Sequence, residues 1–254
     1  MESVEHVDVD EVWKTLDRFG RYQVVQLVIL LASGIPMAFH ILSIVFIGKH
    51  IDHSCIFPPD VDGYHNASLV LDSCKIHILT NTSTGTNMAE CPDGYNYTGD
   101  RYTSFVAEWD LVCERDALGK LSQTLVMVGM FLGAFFLPAL ADRFGRKRLH
   151  VGANFLSLVV GVAMAFVPNF IGFAVLRVFI GVFNQGYIIP MFIMMIELFP
   201  AQQRELIGFS ASFLWGISVV LITPIAYFMQ NYSWRSMQFI FGIFSAISIV
   251  EFLH

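Results

Sequence analysis

Charge is scarce in this chain. Only 14% of its 254 residues are Asp, Glu, Lys or Arg, where about a quarter is usual for a soluble domain. The mean hydropathy is +0.60, with 55% hydrophobic residues. The stretches 121–140 and 149–176 contain no charged residue at all. This shortage excludes a water-soluble globule and points to a membrane protein. The formal charge of −6 comes from polar segments at the N-terminus and between residues 48 and 120, so no nucleic-acid partner is implied. A secretory leader is lacking too. Met1 to Asp10 is acidic, without a basic start or a small-residue cleavage site, and the first apolar run is expected to stay as an anchor. There is no metal-ligand spacing and no phosphate-binding glycine loop, and cysteine occurs only in one polar segment. Nothing looks catalytic, so neither an enzyme nor a cofactor nor a metal is expected.

What is present is a series of apolar stretches of about 20 residues, the length of a spanning helix. Six are predicted, at about 23–47, 121–141, 149–167, 170–196, 206–228 and 235–253. The links after the second, third and fifth are a few residues long, so consecutive helices form antiparallel hairpins. Lys and Arg mark the cytoplasmic side of short loops. Lys14, Arg18, Arg21, Arg143, Arg146, Lys147, Arg148 and Arg204 fall on one side, and the short loops opposite offer only Arg235. Both termini are therefore expected in the cytoplasm. Ahead of the first span, Val12, Trp13, Leu16 and Phe19 form an amphipathic stretch, residues 1–22, that is expected to lie along the inner membrane face.

The segment 48–120 holds all four cysteines, Cys55, Cys74, Cys91 and Cys113, and three glycosylation sequons at Asn66, Asn81 and Asn96. Thiols confined to one compartment predict two disulfides in an oxidising space, on the side where topology puts this loop, outside. Three pairings are possible, and a nested Cys55 to Cys113 and Cys74 to Cys91 arrangement is plausible. A fourth sequon at Asn231 lies in a loop that hugs the membrane and is discounted.

Between the second and third spans stands "ADRFGRKR", five charges in eight residues. Asp142 ends one span, Gly145 permits a tight turn, and Arg146 with Lys147 opens the next. This supplies an acid and its basic partners at a helix boundary. The string resembles the loop signature of the major facilitator superfamily. Further segments resemble the organic cation, anion and zwitterion transporters, solute carrier family 22. They are "FGRYQ" (19–23), "FIGKHIDHSC" (46–55), "EWDLVC" (108–113), "AFVPNF" (165–170), "RVFIG" (177–181), "ELFPAQQR" (197–204) and "WRSMQ" (234–238). The fold this implies is an all-α membrane protein, six transmembrane helices forming the N-terminal bundle of such a carrier, with a large disulfide-bonded, glycosylated extracellular loop between helices one and two. Two departures stand out. Pro138 occupies a position four before Asp142 where the superfamily usually has Gly, which bears on how closely the second helix approaches its partner. The family has twelve spans, so a C-terminal six-helix half is expected as the partner of this one.

The resemblance implies that Asp142, Arg146, Glu197 and Arg204, with Arg143, Gly145 and Lys147 in the turn, form a cytoplasmic charge cluster that holds one conformation and loosens in the other. It also makes Arg177, inside the fourth span, a packing and coupling residue against the first helix. From the residues themselves, Ser33, Pro36, His40 and Ser43 recur at helical spacing as a polar face expected toward the cavity, with His40 titratable near physiological pH. Phe39, Gln185, Ile188, Phe192, Ser212, Trp215 and Ser218 are the candidate lining of a substrate cavity, since aromatic faces attract organic cations. Gly129 and Gly133 form a GxxxG pair suited to close helix packing. Glu251 is expected to snorkel at a span end. The function these readings imply is alternating-access transport of small organic ions across the plasma membrane. A truncated, non-transporting membrane glycoprotein that associates with full-length carriers is the other reading, and a receptor or channel the third. Substrate sign and energy coupling stay open.

Overall fold

The computed structural model describes residues 20–56, 68–71, 74, 76–79, 86–89, 91 and 94–247. The amphipathic stretch 12–19, the sequons at Asn66 and Asn81, and Glu251 lie outside them. Five helical segments are long and apolar enough to cross a membrane: Arg21–Ile47, Cys113–Phe144, Arg146–Phe166, Phe170–Leu198 and Ala201–Met229. The first is two helices, α1 (Arg21–Ser33) and α2 (Ile35–Ile47). The break at Gly34 has a local cause. Pro36 in the first turn of α2 has no N–H for the ladder, and the Met37 N–H reaches the Gly34 carbonyl instead, at 3.3 Å. After a four-residue α3 (Phe105–Glu108), the chain continues as α4 (Asp116–Phe144), α5 (Arg146–Ala163), α6 (Phe170–Leu198) and α7 (Arg204–Met229). At 29 residues, α4 and α6 are each about 43 Å long. The sixth predicted span is seen as α8 (Trp234–Ile243) with a 3-10 turn to Ile247, shorter within the described residues than a crossing.

The helices pack as a bundle. The closest approach is between α4 and α6, where Gly129 faces Gly181 and Gly133 faces Val182. A methyl on Gly129 would overlap the Val178 carbonyl, and one on Gly133 would come within 2.7 Å of the Val182 carbonyl. One turn beyond this contact α4 runs through Pro138 without ending, and the seam is continued by Leu137 against Gly186. Glycines nearer the middle of α4 thus carry the approach. Phe39, Phe105, Phe173, Ile180, Trp234 and Phe241 form the core at the end of the bundle that bears the loop, and Leu30, Met191, Met195, Phe199 and Ile207 form a second cluster at the far end. Outward-facing Phe131, Phe135, Phe209, Phe213 and Phe228 are each at least 65% exposed. In water such a surface would be costly, whereas against hydrocarbon it is matched, because the backbone polar groups are closed within the helices.

The loop has its own small sheets. β1 (His53–Cys55) pairs antiparallel with β5 (Tyr95–Tyr97), and β2 (Ser68–Leu71), β3 (Ile76–Leu79) and β4 (Thr86–Ala89) form an antiparallel meander. The cysteines sit in an interlaced arrangement, Cys55 against Cys91 and Cys74 against Cys113, with Cα separations of 5.3 and 5.5 Å. This corrects the nested pairing. Because β5 returns beside β1, the cysteine just ahead of β5 meets Cys55, and Cys113 is left for Cys74. The base of the loop is tied by Asp110, held at φ +51°. Its carboxylate takes the Arg101 guanidinium at 2.6 Å and the Tyr97 hydroxyl at 3.0 Å. Partial burial, then the Asp110 charge, push the Tyr97 phenol well above the usual tyrosine range, so it remains a donor. Asn96 is exposed on β5.

Candidate functional site

A cavity of about 370 Å³ opens beside the Gly34 break. Leu31, Gly34 and Met37 form one wall, Ile188, Met191 and Phe192 of α6 the second, and Ala211, Ser212, Leu214 and Trp215 of α7 the third. The volume is that of a small-molecule site, and the lining is mainly apolar with few polar groups, as such sites are. Leu31, Gly34 and Met37 recur at intervals of three and share this space, with soft thioethers (Met37, Met191) and an indole as contact groups.

Four of the seven expected lining residues, Ile188, Phe192, Ser212 and Trp215, are in this wall. Phe39, Gln185 and Ser218 are not. Phe39, two residues past Met37 and so turned by about 200°, is buried in a stack with Phe244 at 4.6 Å and an edge contact with Phe241 at 5.6 Å. Gln185 lies at the α4 seam, its Cβ over Gly133. Ser218, rotated by about 240° from Ser212, is buried and donates to the Leu214 carbonyl at 2.8 Å. The polar face Ser33, Pro36, His40 and Ser43 also misses the cavity. All four residues are buried against protein, since α2 turns this face inward. Ser33 donates to the Leu30 carbonyl at 2.6 Å, and His40 Nε2 lies 2.7 Å from the Ser245 hydroxyl. Gly161 leaves room for the His40 ring, where a Cβ would come within 2.6 Å of Cε1.

Arg177 belongs to this interior. Fully buried on α6, it donates from Nη1 to the His40 carbonyl at 3.1 Å and from Nη2 to the Ser43 hydroxyl at 3.4 Å, with its guanidinium 5.0 Å from the Phe173 ring centre. It therefore clamps α2 to α6 through backbone and hydroxyl oxygens. No carboxylate pairs with it among the described residues.

At the far end, Gly145 turns the chain at φ +94°, a conformation that favours glycine. Arg146, first residue of α5, then meets two acids, Glu197 at the end of α6 in direct contact and Asp142 on α4 at 4.0 Å. The trio joins three helices, and both acids are exposed. The other expected members are apart from it. Arg143 lies over the Phe144 ring at 5.7 Å, Lys147 lines a separate small cavity with Tyr22 and His150, and Arg204 makes no ion pair with the trio among the described residues. Gln23 of α1 reaches the Leu198 carbonyl at 3.4 Å and closes the same end.

A sequence profile of the Major Facilitator Superfamily matches residues 117–253, just over half of the chain. The chain belongs to that superfamily. Its relatives place it in solute carrier family 22. It is 30% identical over 240 residues to solute carrier family 22 member 6 of Bos taurus, covering 86% of this chain and 43% of that protein. Identity to member 6-A of Xenopus laevis is 27% over 257 residues, 89% of this chain and 46% of the relative. For member 3 of Mus musculus it is 25% over 280 residues, 96% and 49%. The chain thus spans about half the length of the curated relatives it matches. With its apolar crossing helices, it is a multi-pass membrane protein.

One constellation of this solute carrier family 22 chain was not singled out from the sequence as a site. At the loop end, Glu108 accepts from Arg235 at 2.6 Å and from the Trp234 indole N–H, while Arg235 also donates to the Ala165 and Val167 carbonyls at 3.1 and 2.7 Å. Trp109 beside it donates to the Pro168 carbonyl at 3.1 Å. The cluster fastens the loop base to the α5–α6 connection and to the start of α8. A signal was available. "EWDLVC", "AFVPNF" and "WRSMQ", used to recognise the family, are the three segments that meet here.

Proposed function

We propose that this chain is the N-terminal bundle of a carrier of small organic ions that works by alternating access at the plasma membrane. The observation that carries the reading is the cavity beside the Gly34 break. It is of ligand size, lined by Met37, Met191, Phe192 and Trp215, and bounded, among the described residues, by three helical segments in a chain of a solute carrier family. Aromatic and thioether groups accept an organic cation or the flat apolar part of an organic anion. The open side requires a second bundle, and binding between two bundles is the arrangement of such carriers.

In this reading six crossings place both termini in the cytoplasm and residues 48–120 outside, with the cysteines paired and Asn66, Asn81 and Asn96 carrying glycans. Arg146, Asp142 and Glu197 form the cytoplasmic latch. The trio's exposure suits the role, because exposed pairs separate readily. Arg177 keeps α2 and α6 moving together.

The test is uptake of labelled organic ions into liposomes. Residues 1–254 alone are expected to show no saturable uptake, and the same bundle joined to a second six-helix bundle of a relative is expected to show competable uptake that Trp215→Ala reduces. Saturable uptake by residues 1–254 alone would refute the need for a second wall. Uptake indifferent to Trp215 and Phe192 would refute the cavity.

A further inference from the structure

Away from the bundle cavity, a larger space of about 800 Å³ lies between β1 and the loop end of α4, bordered by His50, His53, Cys74, Cys113 and Asp116. In its wall the Cys74 and Cys113 sulfurs and a ring nitrogen of His53 all lie within 4.8 Å of one another. The orientation of His53 is informative. Its Nδ1 is 3.3 Å from the Ile51 carbonyl, and its Nε2 faces Cys113 Sγ at 3.5 Å. With the ring proton on Nδ1, where the carbonyl can accept it, the Nε2 lone pair points at the sulfur. A backbone carbonyl on one nitrogen and the other aimed at sulfur is the arrangement that orients metal-ligating histidines.

We propose that reduction of the Cys74–Cys113 disulfide converts this corner into a zinc site. Two external thiols supply the two electrons and become a disulfide, leaving two cysteine thiols. Zinc binding displaces both protons and joins Cys74 Sγ, Cys113 Sγ and His53 Nε2, with water in the fourth position. Tetrahedral zinc needs its sulfurs about 3.8 Å apart, and opening the sulfur–sulfur bond frees the thiolates to separate to that distance. Two thiolates and an imidazole select zinc over calcium or magnesium. The covalent tie between loop and α4 is thereby exchanged for a coordinate one that also holds β1.

The test uses the complete chain in micelles, reduced with a water-soluble phosphine, which does not compete for the metal as a dithiol would. One zinc per reduced chain and none per oxidised chain is expected, with cobalt substitution giving the thiolate charge-transfer and tetrahedral visible bands. Zinc should slow maleimide labelling of Cys74 and Cys113, mapped by mass spectrometry, by about tenfold or more while Cys55 and Cys91 label freely. His53→Ala should weaken binding by about tenfold or more. The Cys55→Ser, Cys91→Ser double variant should keep the site, and this distinguishes loss of a ligand from loss of the fold. Equal labelling of all four cysteines with and without zinc, protection at Cys55 and Cys91, or equal zinc binding by the oxidised chain would overturn the proposal.

Discussion

Removing Glu108 should loosen the loop from the bundle by an amount that the geometry bounds. Its carboxylate is 16% exposed and the Arg235 side chain 28%, so the pair is shielded enough to matter yet reached by water. In Glu108→Ala the Arg235 Nη2 and the Trp234 indole N–H lose their acceptor. Stranding shielded donors costs about 1–3 kcal/mol each, and partial hydration sets the expected total at about 3 kcal/mol. In Glu108→Gln an acceptor of the same shape remains and only the charge assistance is lost, about 1 kcal/mol. Arg235→Ala also strands the Ala165 and Val167 carbonyls and removes the cation from the Trp234 ring, 4.7 Å away, for about 4 kcal/mol. Because both single variants delete the same ion pair, the double variant should cost about 2 kcal/mol less than the sum. Reversible unfolding in mixed micelles measures all four proteins. Costs that add to within about 0.5 kcal/mol would show that the two side chains are not coupled, and the clamp would be wrong.

Mass spectrometry of non-reduced peptides should find Cys55 with Cys91 and Cys74 with Cys113; a Cys55–Cys113 or Cys74–Cys91 link would contradict the β1–β5 pairing. Gly181→Leu should abolish the folded bundle, since even a methyl there overlaps the Val126 carbonyl, whereas Gly152→Leu, with nothing within 4 Å, should leave the elution profile of the purified protein unchanged. Phe39→Ala should destabilise by about 3–5 kcal/mol without altering ligand selectivity. Phe192→Ala should do the reverse in a carrier that contains this bundle, and thermal stability read beside ligand competition separates the two.

How far the residues alone reach can be judged from single positions. The Gly129 and Gly133 pair was legible because a spacing of four places both on one face, and only small residues let two backbones meet. Ile188, Phe192, Ser212 and Trp215 were legible as a wall for a similar reason, since helical periodicity fixes which residues share a face. Periodicity does not fix which way that face looks. His40 and Ser43 do share a face, but α2 is turned so that it meets Arg177 and Gly161 instead of the cavity, and Phe39 goes into the core with it. The cysteine pairing was equally hidden, because it depends on β5 folding back beside β1 across some 40 residues of chain.

The sequence by itself determined the solvent, five of the six predicted crossing helices and the family. Each is a property of composition, of short-range periodicity, or of a local string such as "ADRFGRKR", and none needs the position of a distant residue. Only the tertiary structure decided that Arg146 and not Arg204 joins Glu197, that Glu108 grips Arg235, and that α6 and α7 enclose a cavity against Leu31, Gly34 and Met37. These depend on how rigid helices rotate and tilt against one another, which is set by the sum of many close contacts along seams such as the one between α4 and α6.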